Sequence, residues 1–194
     1  MAREGCNLKG AGVLVAGRDT DGLPKILAGR RGPEPRMEYL RKIKEFRLFA
    51  GIIDNCWANP FGKMDTQDLG DFRSSAAREL VEEVVLCRET DRTAGELAPL
   101  FDNWAGLSVS AGEGLLSQIA NSRECVSLHP CKKGLKTYFV RVSRLATPPR
   151  GWELTSLGWR DPAMILQEPR VHWGLRNAIR YFARELESLP PASA

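Results

Sequence analysis

The stretch that most constrains this chain is Arg78-Glu79-Leu80-Val81-Glu82-Glu83-Val84-Val85-Leu86, preceded by Ala76-Ala77. At roughly 100° per residue, Ala77, Leu80, Val81 and Val84 share one helical face, and Glu79, Glu82 and Glu83 cluster on the opposite side. Three glutamates at i, i+3 and i+4 repel one another by a few tenths of a kcal/mol per pair unless a cation or a basic partner intervenes. An oxygen-only donor set of this kind suits Mg²⁺ or Mn²⁺. The same pattern also describes an ordinary solvated acidic helix face, so what surrounds the helix decides between the two readings.

The 194 residues, 43% apolar and 27% charged, suit a single soluble domain with a full core. We read 1–194 as that domain, with 1–9 and 189–194 as flexible ends. No long apolar run suggests a membrane span, and the first residues resemble neither a signal nor a transit peptide, so the expected location is the cytoplasm. The five scattered cysteines argue for reduced thiols rather than a disulfide framework. The segment Cys125-Val-Ser-Leu-His129-Pro-Cys131 fits no common zinc spacing. A net charge of +4 is mild and favours anionic small molecules without requiring a nucleic acid.

Ala11 to Ala16 and Lys25 to Ala28, joined by Asp19-Thr-Asp-Gly22, read as a β-hairpin. Met37 to Phe46 reads as a short helix and Phe46 to Ile53 as a buried strand. Asp54 to Phe72, rich in Gly, Asp, Asn and Pro, reads as a long loop, with Ser74 or Ser75 as the helix N-cap region. Short helical stretches at Ala94 to Trp104 and Gly112 to Ala120 read as an inserted region around 92–122. Lys136 to Val142 and Trp152 to Trp159 are strands, and Val171 to Leu189 is an amphipathic C-terminal helix.

A strand, a glycine-containing loop and then Arg-Glu-x-x-Glu-Glu closely resemble the Nudix hydrolase family. Arg78, Glu79, Glu82 and Glu83 match the helical half of its box position for position. The loop half is best matched by Trp57-Ala-Asn-Pro60-Phe61-Gly62-Lys63-Met64-Asp65, with Gly62 as the box glycine. Five residues then precede Asp68, an acid at the family spacing, but nine rather than seven separate Asp68 from Arg78. Asp71 is an alternative acid, and Phe49-Ala50-Gly51-Ile52-Ile53-Asp54 an alternative register. Val85 stands where the box ends in glycine, removing an easy C-cap residue, so the helix is expected to run on or end differently.

The resemblance implies an α/β Nudix fold, a mixed β-sheet sandwiched between helices. It also implies a Mg²⁺- or Mn²⁺-dependent hydrolase that cleaves a diphosphate linkage in a nucleoside diphosphate joined to another group. Glu79, Glu82 and Glu83 are then the metal ligands, Glu79 and Glu82 catalytic, and Arg78 the residue that holds the carboxylates. Gly62, Lys63 and Arg31 are substrate-binding candidates, Arg31 as part of the pair Arg30-Arg31. Trp57 and Trp159 are read as packing anchors. An additional catalytic acid is sought among Glu113, Glu124, Glu153 and Asp161. The partner implied is a small nucleotide; RNA and a homodimer are compatible with the sequence but not indicated by it. The alternative reading is a weak or inactive Nudix-fold module that binds nucleotide or RNA, motivated by the loop spacing, Val85 and the inserted region.

Overall fold

The computed structural model describes residues 10–31, 55–86, 92–97, 104, 114–128, 134–148 and 154–191. Strand β1 (Gly10–Arg18) is the centre of a seven-stranded mixed sheet. It pairs antiparallel with β2 (Pro24–Arg31) through Ala16–Ile26, and parallel with β6 (Gly134–Arg141) through Val13–Tyr138. Its first three residues also pair antiparallel with β4 (Phe61–Lys63), which sets Gly62 opposite Ala11. Short β3 (Trp57–Ala58) and β7 (Leu154–Arg160) flank β2, and β5 (Cys125–Leu128) lies beyond β6.

Apolar residues fill both faces of β1, as expected of a strand covered on both sides. Val13 and Val15 turn to helix α1 (Phe72–Val81), where Ala76, Ala77, Leu80 and Val81 are fully buried. Leu14 and Ala16 turn the other way, to Leu175, Ala178 and Ile179 of α5 (Trp173–Tyr181) and Leu186 of α6 (Ala183–Glu187). Each fully buried Leu, Val or Ile contributes about 1.5–3 kcal/mol. Both layers depend on the register of β1, because a one-residue slip would exchange its two faces.

The expected hairpin is present. Asp19 Oδ1 accepts hydrogen bonds from the Asp21 and Leu23 amides, and Gly22 takes a left-handed φ of 76° that suits a residue without a Cβ. The two expected strands near residues 136–142 and 152–159 are β6 and β7. The expected C-terminal helix is two helices, α5 and α6, interrupted at Phe182 (φ −95°, ψ 21°). Leu189, placed in a flexible end by its sequence, is buried in the layer under α5, and its carbonyl accepts from Arg18 Nε at 2.7 Å.

The expected loop at 54–72 is more structured than its composition suggests, since it contains β3, β4 and a 3₁₀ turn at Thr66–Asp68. Composition misleads there because two- and three-residue strands need a partner edge, not a propensity of their own. In the 92–122 region, α2 (Ala94–Leu97) is short, while α3 (Leu115–Asn121) buries Leu115 and Ile119 in the layer beneath α1. α4 (Pro162–Gln167) links β7 to α5. The expected helix at 37–46, the strand at 46–53 and the alternative glycine register ending at Asp54 lie outside the described residues.

Candidate active site

The end of β4, the turn after it and α1 meet around Arg78. Its side chain is only 4% exposed, and each of its three nitrogens has an acceptor. Nε donates to Asp68 Oδ1 at 3.0 Å, and Nη2 to Asp68 Oδ2 at 3.0 Å, a bidentate pair. Nη1 reaches Glu82 Oε2 at 2.9 Å. Nη2 also meets Glu79 Oε1 at 2.9 Å and the Lys63 carbonyl at 3.1 Å. One guanidinium thus binds three carboxylates and the β4 backbone together. Burial alone would lower its pKa, but the Asp68 hydrogen bonds and the charges of Glu79 and Glu82 outweigh this and push it above the ordinary arginine range, so it is a fixed cation.

Asp68 is therefore the described loop acid that meets the helix, in the stretch that begins at Gly62. Asp68 is 3% exposed and also accepts from the Asp65 amide at 2.8 Å, while the Asp65 side chain accepts from Thr66 N. These reciprocal bonds fix the 3₁₀ turn that presents Asp68 to Arg78. Two residues with left-handed backbone, Leu69 (φ 49°) and Gly70 (φ 81°), follow at once. They reverse the chain before α1, and Leu69 projects 92% exposed. The two residues in excess of the usual spacing are accommodated by this outward turn. Asp71, the alternative acid, instead caps α1 by accepting from Arg73 N at 3.0 Å and Ser74 N at 3.1 Å. The N-cap is thus Asp71 rather than Ser74 or Ser75, and the Ser74 hydroxyl donates to Asp71 at 2.7 Å.

Gly62 has a steric task. A Cβ placed on it would fall on the Glu79 carboxylate, which lies directly over the β4 backbone. Only a glycine at this point of β4 lets α1 approach with Glu79 in its place. Glu79, Glu82 and Glu83 are all largely covered: the Glu79 side chain is 12% exposed, and residues Glu82 and Glu83 are 6% and 3% exposed. The anionic side of the helix is thus not the solvated face that an amphipathic pattern describes. After Val81 the helix continues as a π-helical turn, Glu82–Leu86, so it runs on through Val85 as the missing glycine suggested. Such turns recur at functional sites because they re-aim the side chains they carry.

Among the described residues no three acidic, histidine or cysteine side chains are arranged to hold a metal ion. Glu79 and Glu82 each turn one oxygen to Arg78 instead. The donor type nevertheless fits a hard divalent cation, because the glutamates supply only carboxylate oxygen and Arg78 offsets one of the four charges they carry with Asp68.

The side chains of the other candidates are not part of this clamp. Lys63 gives its backbone carbonyl to Arg78, and its side chain is exposed. Arg31 stacks its guanidinium 4.4 Å from the Phe61 ring centre, and Phe61 in turn stacks on His172 at 4.5 Å. Trp57 is 8% exposed under the Arg30 guanidinium, and Trp159 stacks on Trp104, so both pack. Glu124 pairs with Lys136 at 2.8 Å and accepts from the Tyr138 hydroxyl, and Asp161 caps α4. Neither enters the Arg78 cluster, and Glu113 and Glu153 lie outside the described residues. Asn59, absent from the sequence-based candidates, is fully buried, with its amide nitrogen donating to the Val13 carbonyl at 3.0 Å, and so ties the start of β4 to β1.

These features define an α/β protein whose carboxylate-bearing helix is clamped to a glycine loop by a buried arginine. No protein-family model matches the sequence, and no curated protein is significantly similar to it. Solved structures are similar in fold. A Nudix hydrolase from Alicyclobacillus acidocaldarius is 16% identical with a TM-score of 0.56, over 97% of this chain and 98% of that one. The MutT protein from Methanosarcina mazei Go1 is 16% identical with a TM-score of 0.52, over 94% and 96%. The Nudix domain of Shewanella oneidensis NrtR, complexed with ADP ribose, is 13% identical with a TM-score of 0.53, over 93% and 89%. The chain has the Nudix fold.

Proposed function

We propose that this protein, acting as one domain over residues 1–194, is a divalent-metal-dependent hydrolase of a diphosphate linkage in a nucleoside diphosphate joined to another group. The observation that carries this reading is the buried clamp of Arg78 on Asp68, Glu79 and Glu82, with Glu79 seated on Gly62. One guanidinium against three buried carboxylates leaves an excess of negative charge, which is expensive unless a cation joins them. The ion, Mg²⁺ or Mn²⁺, would be held by Glu79, Glu82 and Glu83 and would supply charge neutralisation at the diphosphate and a more acidic attacking water.

The chain's own groups then divide the work. Asp68 anchors Arg78, and Arg78 orients Glu79 and Glu82. In this proposal Glu79 or Glu82 takes the proton of the attacking water through the oxygen not given to Arg78. Lys63 and Arg31, at the ends of β4 and β2, supply positive charge for phosphate oxygens. Nucleotide chemistry is supported by the ADP ribose of the NrtR domain. Among the described residues no helix is long and apolar enough to cross a membrane.

The test is turnover of a panel with Mg²⁺ or Mn²⁺: ADP-ribose, dinucleoside polyphosphates, NADH, coenzyme A, dNTPs and capped RNA. Release of a nucleoside monophosphate from at least one member is expected, and no product from any member would reject hydrolysis. One observation favours the binding-module reading: Glu79 and Glu82 are already committed to Arg78. Nucleotide or RNA affinity that is indifferent to divalent metal, without turnover, would establish it.

A further inference from the structure

His172, one of two histidines in the chain, is 6% exposed at the turn into α5. Its backbone is held on both sides. The His172 amide donates to the Trp57 carbonyl at 2.8 Å and the Trp57 amide to the Arg170 carbonyl at 2.9 Å, so the lead-in to α5 lies along β3. The His172 carbonyl accepts the Arg176 amide at 3.0 Å, which starts the helix. The ring then closes the helix end, because Nδ1 accepts from the Gly174 amide at 3.1 Å. On its other side the ring stacks on Phe61 of β4, centre to centre 4.5 Å.

A histidine is an unusual N-cap, and its chemistry sets a condition that the common caps do not. Serine, threonine and asparagine cap through an oxygen that accepts at every pH, whereas imidazole accepts only through a bare ring nitrogen. An imidazolium has two donors and no acceptor, so a protonated ring would turn an N–H against the Gly174 amide. The charged side chains around it also oppose a further positive charge. Arg31 lies over the Phe61 ring at 4.4 Å, and Lys63 is on the same face of β4 as Phe61. α5 carries only Arg176 and Arg180, β3 carries no charge, and Arg170 precedes the ring by two residues. Glu168, the one acid of the lead-in, is paired with Arg30 at 3.6 Å. Lys136, beside Leu135 on β6, pairs with Glu124 at 2.8 Å.

We infer that His172 is a pH-sensitive latch that caps α5 and seats Phe61 while its ring is neutral, and releases both when it is protonated. Phe61 immediately precedes Gly62, so the latch reaches the strand on which Glu79 is seated. The folded state favours the neutral ring, and the unfolded chain therefore takes up the proton first. This contribution to stability is complete above the unfolded histidine value of about 6.5 and is lost as pH falls below it. Through this one group the ratio of unfolded to folded chain rises about tenfold by pH 5.5. The latch does not rest on the hydrolase reading, because its readouts are stability and resonance positions rather than turnover.

Chemical denaturation of the full chain between pH 7.5 and 5.5, wild type against His172→Asn, tests it. Asparagine caps at either pH, and His129 is common to both proteins and cancels in the difference. The wild type should show the tenfold rise beyond whatever the variant shows; equal pH dependence in the two proteins overturns the latch. Nitrogen NMR of the wild-type ring decides the matter even where the variant does not fold. At pH 7.5 the ring proton is expected on Nε2 with Nδ1 bare, and a proton on Nδ1 overturns the latch. As pH falls, the backbone amide signals of Gly174 and Phe61 should move with the midpoint of the ring, and a Phe61 signal that stays in place overturns the coupling to β4.

Discussion

Replacing Gly62 with alanine separates the geometry described here from an ordinary strand glycine. Gly62 does not have a left-handed φ, so on backbone grounds alone alanine would stabilise the fold by about 0.4–1 kcal/mol through the unfolded chain. The new Cβ, however, falls on the Glu79 carboxylate, and neither β4, paired to β1, nor α1, packed through Leu80 and Val81, is free to withdraw. The Glu79 carboxylate, the mobile end of its side chain, has to swing away instead, so the cost is that of the contacts it gives up, about 1.5–3 kcal/mol for a hydrogen bond to a charged group. The contact given up is the 2.9 Å one with Arg78. A net loss of about 0.5–2.5 kcal/mol is expected, measured by denaturant unfolding of Gly62→Ala against the wild type. The decisive assay is the double-mutant cycle with Glu79→Ala, in which the same Gly62→Ala change should be neutral or stabilising. If Gly62→Ala stabilises the wild type, or costs the same with and without the Glu79 side chain, the account of why glycine occupies this position is wrong.

Removing the clamp itself should be more severe: Arg78→Met leaves Asp68 and Glu82 buried without their partner and should cost about 3–5 kcal/mol in chemical denaturation. Asp71→Ala removes the cap of α1 and should cost about 1 kcal/mol. Burial opposes ionisation of Asp71, but bonds from the Ser74 hydroxyl and the Arg73 and Ser74 amides outweigh it and hold its pKa low. That contribution is therefore present above the unfolded carboxylate pKa and lost as pH falls through the lower folded one, so wild type and Asp71→Ala should converge in acid unfolding. Leu69→Gly should stabilise by about 0.5–1 kcal/mol, because an exposed leucine with a left-handed backbone is strained and glycine is not; equal or lower stability would refute that strain.

The sheet core was legible because its signals are local. The apolar run of β1, the Asp19 to Gly22 turn and the stripe Leu80, Val81, Val84 each state their own structure. The helical half of the site was legible for the same reason, with Arg78, Glu79 and Glu82 brought together as spaced. The loop half was harder, because its determinant is a contact across ten residues. Asp68 has the family spacing from Gly62 but is two residues too far from Arg78, and only the paired left-handed residues Leu69 and Gly70 reconcile the two distances. A Leu-Gly pair before an Asp N-cap was the available signal. The burial of Glu82 and Glu83 was not legible, since a helical wheel assigns them to solvent and the covering comes from tertiary packing. The same holds for β3 and β4, whose few residues become strands only against β2 and β1.

The most direct test of the central claim is Mg²⁺- or Mn²⁺-dependent turnover of the nucleotide panel by wild type and by Glu82→Gln and Glu83→Gln, each verified as folded. Diphosphate cleavage by the wild type and a fall of about a hundredfold or more in both variants is the predicted result. Turnover unchanged in Glu83→Gln, or cleavage that persists in excess chelator, would contradict the assignment of these carboxylates to a metal-dependent hydrolase.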